Sequence, residues 1–221
     1  MYLHHIKPQP LSVYKIKIMG SIFSSELSIG NIQVIFLEGN IGSGKTSILN
    51  YLETIGEVTV PEAVDEWRFL EHFYSNKSCG FQLQTEIALS MNKQFELGIR
   101  KAIETKRNRI FVERSIQTCS MFGDGLDTDE RCILKKLYDV LTPTSSYEKL
   151  GSIQTIYLNI DPRICWERIN VRGRVAEKGI TQEYVYKMHK VFETHFMNET
   201  TVHIRSDMDV EAVGQEILSV I

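Results

Sequence analysis

The chain has 221 residues, of which 43% are hydrophobic and 24% charged, and its formal net charge at pH 7 is -3. These values are typical of a single globular domain that buries a sizeable core without the help of a metal or a disulfide. The small negative charge excludes a general attraction to nucleic acid or to an anionic membrane, and no apolar run approaches a membrane span in length. The cysteines lack the C-x-x-C spacing of a zinc site and are expected to be free thiols in a reducing compartment; they are Cys79, Cys119, Cys132 and Cys165.

Residues 1–30 are predicted to be a flexible N-terminal extension, and residues 31–221 to form the folded domain. The extension contains lysines but no acid before Glu26, so a mitochondrial presequence is an alternative to a cytoplasmic location. The absence of arginine and the presence of Pro8 and Pro10 favour the cytoplasm. The segment "MGSIFS" resembles a myristoylation signal, which would require translation to begin at Met19.

Beyond residue 30, apolar runs alternate with helical periodicity, which indicates an α/β fold with a five-stranded parallel sheet covered by helices on both faces. The predicted strands span about 33–38, 57–61, 109–113, 153–160 and 201–205. The predicted helices span about 45–55, 65–75, 81–105, 127–141, 162–172, 181–197 and 209–219. In such a sheet ligands bind beyond the carboxyl ends of the strands.

The first predicted strand runs into the loop "EGNIGSGKTS", which has the G-x-x-x-x-G-K-T spacing of a P-loop. The glycines of such a loop let backbone N–H groups face a phosphate, Lys45 reaches the β- and γ-phosphates, and the Thr46 hydroxyl binds Mg²⁺. The predicted phosphate-binding residues are therefore Gly39, Asn40, Ile41, Gly42, Ser43, Gly44, Lys45, Thr46 and Ser47.

Charged residues follow the next two strands along the chain. Glu62 comes after the second strand, where its carboxylate would accept the proton of an incoming hydroxyl or, equally, stabilise the start of a helix. Glu113 ends the third strand and Arg114 follows it; the first is a candidate Mg²⁺ ligand and the second a candidate partner for the charge that develops in the reaction.

A cluster of arginines lies further along, in "CWERINVRGRVAEKGI". Arg168 and Arg172 share a helical face, and Arg174 follows the glycine that loosens the helix. Guanidinium groups aimed at one place suit a polyphosphate, so the segment is predicted to be an arginine-rich lid.

The segments "EGNIGSGKT", "PEAVDEW", "GFQ", "ERS" and "RGRVAEKGI", in this order, resemble the deoxynucleoside kinase family over about residues 33–205. The resemblance implies a P-loop kinase that forms a homodimer through helices. It also implies that ATP, with Mg²⁺, phosphorylates the 5′-hydroxyl of a deoxyribonucleoside. Neither nucleic acid nor a membrane is an expected partner.

The resemblance also assigns roles to individual residues. It makes Glu62 the general base, Arg114 the group that orients this base, and Lys45 a catalytic contact to phosphate, with Thr46 and Glu113 at the metal. The sugar 3′-hydroxyl would be bound by Glu177 and Tyr74.

The nucleobase pocket is predicted by the same resemblance. Gln82 would hydrogen-bond the base, between apolar walls that Trp67 and Phe81 supply. Members that prefer deoxycytidine or purines place an arginine and an aspartate near the base, and the matching positions here are assigned to Leu89 and Cys119. An uncharged pocket favours thymidine, or pyrimidines broadly, as the substrate.

Two other functions are compatible with the P-loop alone. A thymidylate-type nucleoside monophosphate kinase shares the sheet, but its phosphorylated acceptor would be repelled by Glu62. A regulatory nucleotide-binding module would leave Glu62, Arg114 and the arginine cluster without a purpose, and the sequence shows no obvious N-K-x-D motif for reading guanine.

Overall fold

The structure, a computed structural model, describes residues 32–76, 79–123, 125–141, 150–197 and 200–221. The predicted extension, residues 1–30, lies outside the described residues. The strands are β1 (Gln33–Glu38), β2 (Val58–Val60), β3 (Arg109–Glu113), β4 (Ile153–Asn159) and β5 (Val202–Arg205). The α-helices are α1 (Lys45–Thr54), α2 (Leu70–Asn76), α3 (Gly80–Glu104), α4 (Thr128–Leu141), α5 (Pro162–Arg172), α6 (Gln182–Phe196) and α7 (Val210–Ser219). Short 3₁₀-helices span Val64–Glu66, Ile116–Phe122 and Val175–Glu177.

Within the described ranges, five parallel strands form one sheet in the order β2-β3-β1-β4-β5. The central strand β1 is almost entirely buried, as expected for a strand that helices cover on both faces. In register, Leu37 of β1 lies beside Glu113 of β3 and Ile156 of β4. The predicted α/β fold with a five-stranded parallel sheet is therefore confirmed.

Local sequence explains where the elements at this edge begin and end. β2 ends at Val60 because the next residue, Pro61, has no N–H to donate to a strand partner. α5 begins after Asp161, whose side chain accepts a hydrogen bond from the Arg163 N–H, and it ends at Gly173 with a left-handed φ of 61°.

The predicted helix over 65–75 differs from the structure. A 3₁₀-helix spans Val64–Glu66, Trp67 has an extended backbone, and α2 begins only at Leu70. The break thus separates the end of β2 from the start of α2 by a short irregular segment. In the described part of the chain, no helix combines the length and the apolar character needed to cross a membrane.

Candidate active site

A cavity of about 680 Å³ opens at the carboxyl edge of the sheet. P-loop residues 41–47 line one end and apolar side chains line the other, while Glu62, Glu113 and Arg114 lie at the ends of β2 and β3. The remaining wall contains the predicted arginine cluster and Glu177. The fold thus brings most of the predicted site residues to one place.

The P-loop depends on its glycines at defined points. Gly42 has a φ of 79°, and a Cβ there would lie 2.5 Å from the carbonyl oxygen of Cys165 in α5. Gly44, with a φ of 98°, precedes the first residue of α1. The loop therefore packs closely on α5 with its N–H groups at the start of a helix, where an anion is stabilised.

Lys45 is buried, and its Nζ donates to the carbonyl oxygens of Gly39 at 3.1 Å and Asn40 at 3.0 Å. Burial, followed by the charge of Arg114, lowers the pKa of Lys45 to about 8. Gly39 and Asn40 do not line the cavity. The Asn40 side chain instead donates to Val185 O at 2.9 Å and accepts from Ile41 N at 2.8 Å. The first of these bonds connects the P-loop to α6.

Glu113 connects three elements of the site. The Thr46 hydroxyl donates to its Oε1 at 2.9 Å, and the backbone N–H of Glu62 donates to its Oε2 at 3.3 Å. Burial raises the pKa of Glu113, and the charge of Glu62 acts in the same direction.

A hydroxyl and a carboxylate beside a phosphate loop fit Mg²⁺, which takes one or two protein oxygens and completes its shell with phosphate oxygens and water. No group of three or more His, Cys, Asp or Glu side chains suited to a metal occurs in the described ranges. Thr46 and Glu113 are therefore the residues that could hold this ion.

Arg114 and Glu62 form an ion pair inside the cavity, with Nε and Oε1 2.9 Å apart. The guanidinium carbon of Arg114 lies 4.7 Å from the centre of the Phe122 ring and 5.3 Å from that of Phe192. Its Nη2 also donates to Gly39 O at 3.4 Å. The guanidinium is thus fixed between the P-loop and the carboxylate that it orients.

The turn that carries Arg114 depends on Glu38, a residue that the sequence analysis did not select. Arg114 has a left-handed φ of 64°, and the next N–H, that of Ser115, donates to Glu38 Oε1 at 2.7 Å. Thr118 donates to the same carboxylate, and burial raises the pKa of Glu38. A charged residue at the end of the apolar central strand was the available signal for this role.

The arginine cluster (Arg168, Arg172 and Arg174) lines the cavity. Arg168 donates to the carbonyl oxygens of Ser43 at 3.3 Å and Ser206 at 3.0 Å, which places its guanidinium against the P-loop. Arg172 and Arg174 both donate to the buried carboxylate of Glu177, at 2.6 and 3.1 Å. The cluster is thus held by oxygen atoms that a polyphosphate could replace.

The apolar end of the cavity includes Tyr74 and Gln84 as its polar members. Its apolar lining residues are Val64, Trp67, Leu70, Phe73, Leu83, Ile87, Cys119 and Phe122. The predictions for Trp67, Tyr74 and Cys119 as lining residues agree with this arrangement. Gly179 approaches α2 closely, since a Cβ there would lie 2.6 Å from the Tyr74 carbonyl, and this contact holds the Glu177 segment over the cavity.

Three residues assigned to the base pocket do not line it. Gln82 is exposed, Leu89 is 54% exposed, and Phe81 packs in the neighbouring core without reaching the cavity. Gln84, only 1% exposed, lines the cavity in place of Gln82. Met91 replaces Leu89 as the neighbour of Cys119, with the two sulfur atoms 3.4 Å apart.

One physical reason explains the errors at Gln82 and Leu89. Both assignments are two residues too early on the same helix, and two residues rotate a side chain by about 200° around the helix axis. The motif "GFQLQ" contains a glutamine at either position, so the letters alone could not decide which one faces the cavity.

Comparison with known proteins gives a consistent result. A profile described as "Deoxynucleoside kinase" matches residues 35–217. A putative deoxynucleoside kinase of Frog virus 3 (isolate Goorha) is 28% identical over 159 residues, which cover 72% of this chain and 80% of that protein. Human deoxycytidine kinase is 28% identical over 210 residues, with 80% of each chain covered.

Among solved structures, deoxyadenosine kinase from M. mycoides with bound dATP has a similar fold. The TM-score is 0.67 at 20% sequence identity, and the match covers 84% of this chain and 97% of that one.

Proposed function

This chain belongs to the deoxynucleoside kinase family and is therefore a nucleoside kinase, and we propose that its acceptor is thymidine or, more broadly, a pyrimidine deoxynucleoside. In this proposal the γ-phosphoryl group of ATP passes to the 5′-hydroxyl, giving the 5′-monophosphate. The Glu62–Arg114 pair carries the proposal, because it lies between the phosphate end and the apolar end of one cavity.

Glu62 is the general base of the proposed reaction. A carboxylate at the boundary between the two ends of the cavity can accept the proton of the 5′-hydroxyl as its oxygen attacks, which contributes about 10²- to 10⁴-fold in rate. The 2.9 Å contact to Arg114 orients the carboxylate. Arg114 is itself a contact for the reacting oxygen.

The phosphate end positions ATP and neutralises its charge. Lys45 and the loop N–H groups bind the β- and γ-phosphates, and the arginine cluster closes over them as a lid. Mg²⁺ held by Thr46 and Glu113 would supply charge neutralisation of the phosphate oxygens when bound. Positioning and electrostatic stabilisation are the main sources of rate enhancement.

The apolar end binds the nucleoside. Gln84 reads the base edge, because a carboxamide has a donor and an acceptor that match N3–H and O4 of thymine, or N3 and the N4 amino group of cytosine. Cys119 at this end is uncharged, as is Met91 behind it, which suits the thymine methyl group. Glu177 and Tyr74, both at the cavity wall, bind the 3′-hydroxyl.

The proposal extends to the whole protein in three respects. Residues 31–221 act as one kinase domain, the location is cytoplasmic rather than mitochondrial, and the enzyme is a homodimer. Exposed apolar side chains on α3 and α4, such as Leu97 and Val140, support the last point.

The test is an initial-rate assay of Mg·ATP with thymidine, deoxycytidine, deoxyadenosine, deoxyguanosine and thymidine monophosphate, for the wild type and Glu62→Gln. We expect thymidine to be the best acceptor and the monophosphate to be inert. Glu62→Gln should lower kcat by about 10²- to 10⁴-fold while the Kd for ATP stays within about twofold.

Glu66→Gln is the matched control, since Glu66 makes a 3.8 Å pair with Lys93 outside the cavity. A preference for purines would overturn the base-pocket assignment. Phosphorylation of the monophosphate alone would overturn the 5′-hydroxyl as acceptor, and unchanged turnover in Glu62→Gln would remove Glu62 from its role.

A further inference from the structure

The carboxamide of Gln84 is buried but only half satisfied. Its Oε1 accepts a hydrogen bond from the Tyr138 hydroxyl at 3.3 Å. Its Nε2 is also buried and has no hydrogen-bond partner among the residues that the structure describes. Because a buried amide N–H without a partner is energetically unfavourable, this group is poised for a ligand acceptor in the cavity that Gln84 lines.

Tyr138 supports Gln84 from outside the cavity. It lies on α4, is 7% exposed, and packs in an apolar cluster with Leu83, Cys119 and Leu134. It does not belong to the cavity lining. Burial raises the pKa of Tyr138, so its O–H remains protonated at neutral pH. A contact between Tyr138 and the base would therefore run through Gln84.

The chemistry of a phenol suits this position because its oxygen both donates and accepts hydrogen bonds. With the carboxamide oriented as described, the phenol donates to Oε1. After a 180° rotation of the carboxamide, the phenol would accept from Nε2 instead. Thymine and cytosine present opposite donor and acceptor patterns at N3 and at the exocyclic C4 group, so recognising both requires these two orientations.

We propose that Tyr138 is a positioning residue for nucleobase recognition, whose hydroxyl holds the outer edge of the Gln84 carboxamide in either orientation while the inner edge pairs with a pyrimidine. This inference rests on the proposed function, since it names how the acceptor pocket of that function is organised. It predicts that one residue outside the cavity sets the affinity for the base without taking part in phosphoryl transfer.

The variant Tyr138→Phe tests the proposal because it removes one oxygen atom and keeps the ring in the cluster. We expect the KM for thymidine and for deoxycytidine to rise by about 2- to 12-fold each, the range that the loss of one hydrogen bond gives. The kcat for both and the Kd for ATP should stay within about twofold. Tyr157→Phe is the matched control, since the Tyr157 hydroxyl is bonded to Glu193 rather than to a residue of the base pocket, at 2.8 Å, and this variant should not change KM.

A shape mimic of thymidine separates positioning from a purely structural role. The deoxyriboside of 2,4-difluorotoluene has the outline of thymidine but lacks the N3–H donor and has only weak acceptors, so it gains little from an oriented carboxamide. Its KM should be the same in the wild type and in Tyr138→Phe. An equal rise in KM for the mimic and for thymidine would overturn the proposal, as would an unchanged KM for both natural pyrimidines.

The double variant Gln84→Met, Tyr138→Phe is a second test of whether Tyr138 acts through Gln84. Once Gln84 is replaced, Tyr138→Phe should have no further effect on the affinity for thymidine, and an additive loss would contradict the proposal. Calorimetric Kd values for thymidine keep this inference distinct from the proposed function. If the wild type binds thymidine without phosphorylating it, the proposed function fails, while the Kd values of the variants still decide the role of Tyr138.

Discussion

Two buried cations meet at one carbonyl group in the P-loop. Lys45 Nζ and Arg114 Nη2 both donate to Gly39 O, at 3.1 and 3.4 Å. Their mutual repulsion adds to burial in lowering the pKa of Lys45 to about 8. A bound phosphate would relieve this repulsion, so the protonation of Lys45 and the binding of ATP are linked.

This linkage predicts that the affinity for ATP depends on pH. Below pH 8 Lys45 is charged in the free protein and the Kd should be constant. Above pH 8 the charged form becomes scarce, so the Kd should rise towards about tenfold per pH unit. Calorimetric titration with Mg·ATP between pH 6.5 and 9.5 measures this dependence.

Lys45→Met is the control for this titration. Its Kd should be higher at neutral pH and should lose the rise that begins near pH 8. A wild-type Kd that stays flat to pH 9.5 would show that the lysine keeps its proton throughout.

At the same scale, sequence patterns located some site residues and missed others for a definable reason. Glu62 and Arg114 could be predicted because they follow strands, and the ends of parallel strands converge at one edge of the sheet. Gln84 could not be separated from Gln82, since choosing between them requires the rotation of α3. The role of Glu38 could not be predicted because its partner, the Ser115 N–H, is 77 residues away in the chain.

At the scale of elements, α3 packs closely against the sheet at Gly98, a residue without a side chain. A Cβ on Gly98 would overlap Cγ2 of Val60 in β2. β2 ends two residues before Glu62, so the contact between α3 and β2 sets the position of the proposed base relative to Gln84 on the same helix.

Gly98→Ala should therefore destabilise the protein although alanine is the better helix former. Overpacking costs about 1–3 kcal/mol, while the gain in helix propensity is about 1 kcal/mol, so we expect a net loss of up to about 2 kcal/mol in the free energy of unfolding. Urea denaturation measures it.

Val60→Ala is the second substitution of a double-mutant cycle with Gly98→Ala. Because it removes the methyl group in question, the double variant should lose less stability than the two single variants combined. A simple sum would mean that the helix moves away rather than clashing with Val60.

Helices and strands could be predicted where their apolar residues recur at a regular spacing. The strands of the sheet were located from their apolar runs. The prediction for β2 was too long at both ends, because Glu57 and Pro61 adjoin this strand without belonging to it, and those for β4 and β5 were each one residue too long. The chain between Val64 and Leu70 could not be predicted, since the extended backbone of Trp67 is set by packing over the cavity rather than by local propensity.

At the scale of the molecule, α3 and α4 pack against each other and expose apolar side chains to solvent. Leu89 is 54% exposed and Leu97 48% on α3, while Ile133 is 53% exposed and Val140 69% on α4. Single exposed apolar residues are common, but four on two neighbouring helices support a surface that a second copy of the chain covers.

We expect a charge on this surface to weaken the proposed homodimer. Leu97→Glu and Val140→Glu should shift sedimentation equilibrium towards the monomer by about tenfold or more in Kd, because each would bury an unpaired carboxylate. Val220→Glu, at an exposed apolar residue near the end of the chain, is the control. A wild type that is monomeric at micromolar concentrations would contradict the homodimer.

The contact between Met91 and Cys119 also bears on how the specificity of such an enzyme evolves. The resemblance to related kinases places an arginine and an aspartate near the base in members that prefer deoxycytidine or purines, and the sulfur atoms here touch at 3.4 Å. Acquiring either charge alone would bury it beside a sulfur atom rather than beside the opposite charge of such a pair, at a cost in stability. A lineage that starts from this pair must therefore pass through a weakened intermediate, or change both codons together, before its nucleobase preference can shift.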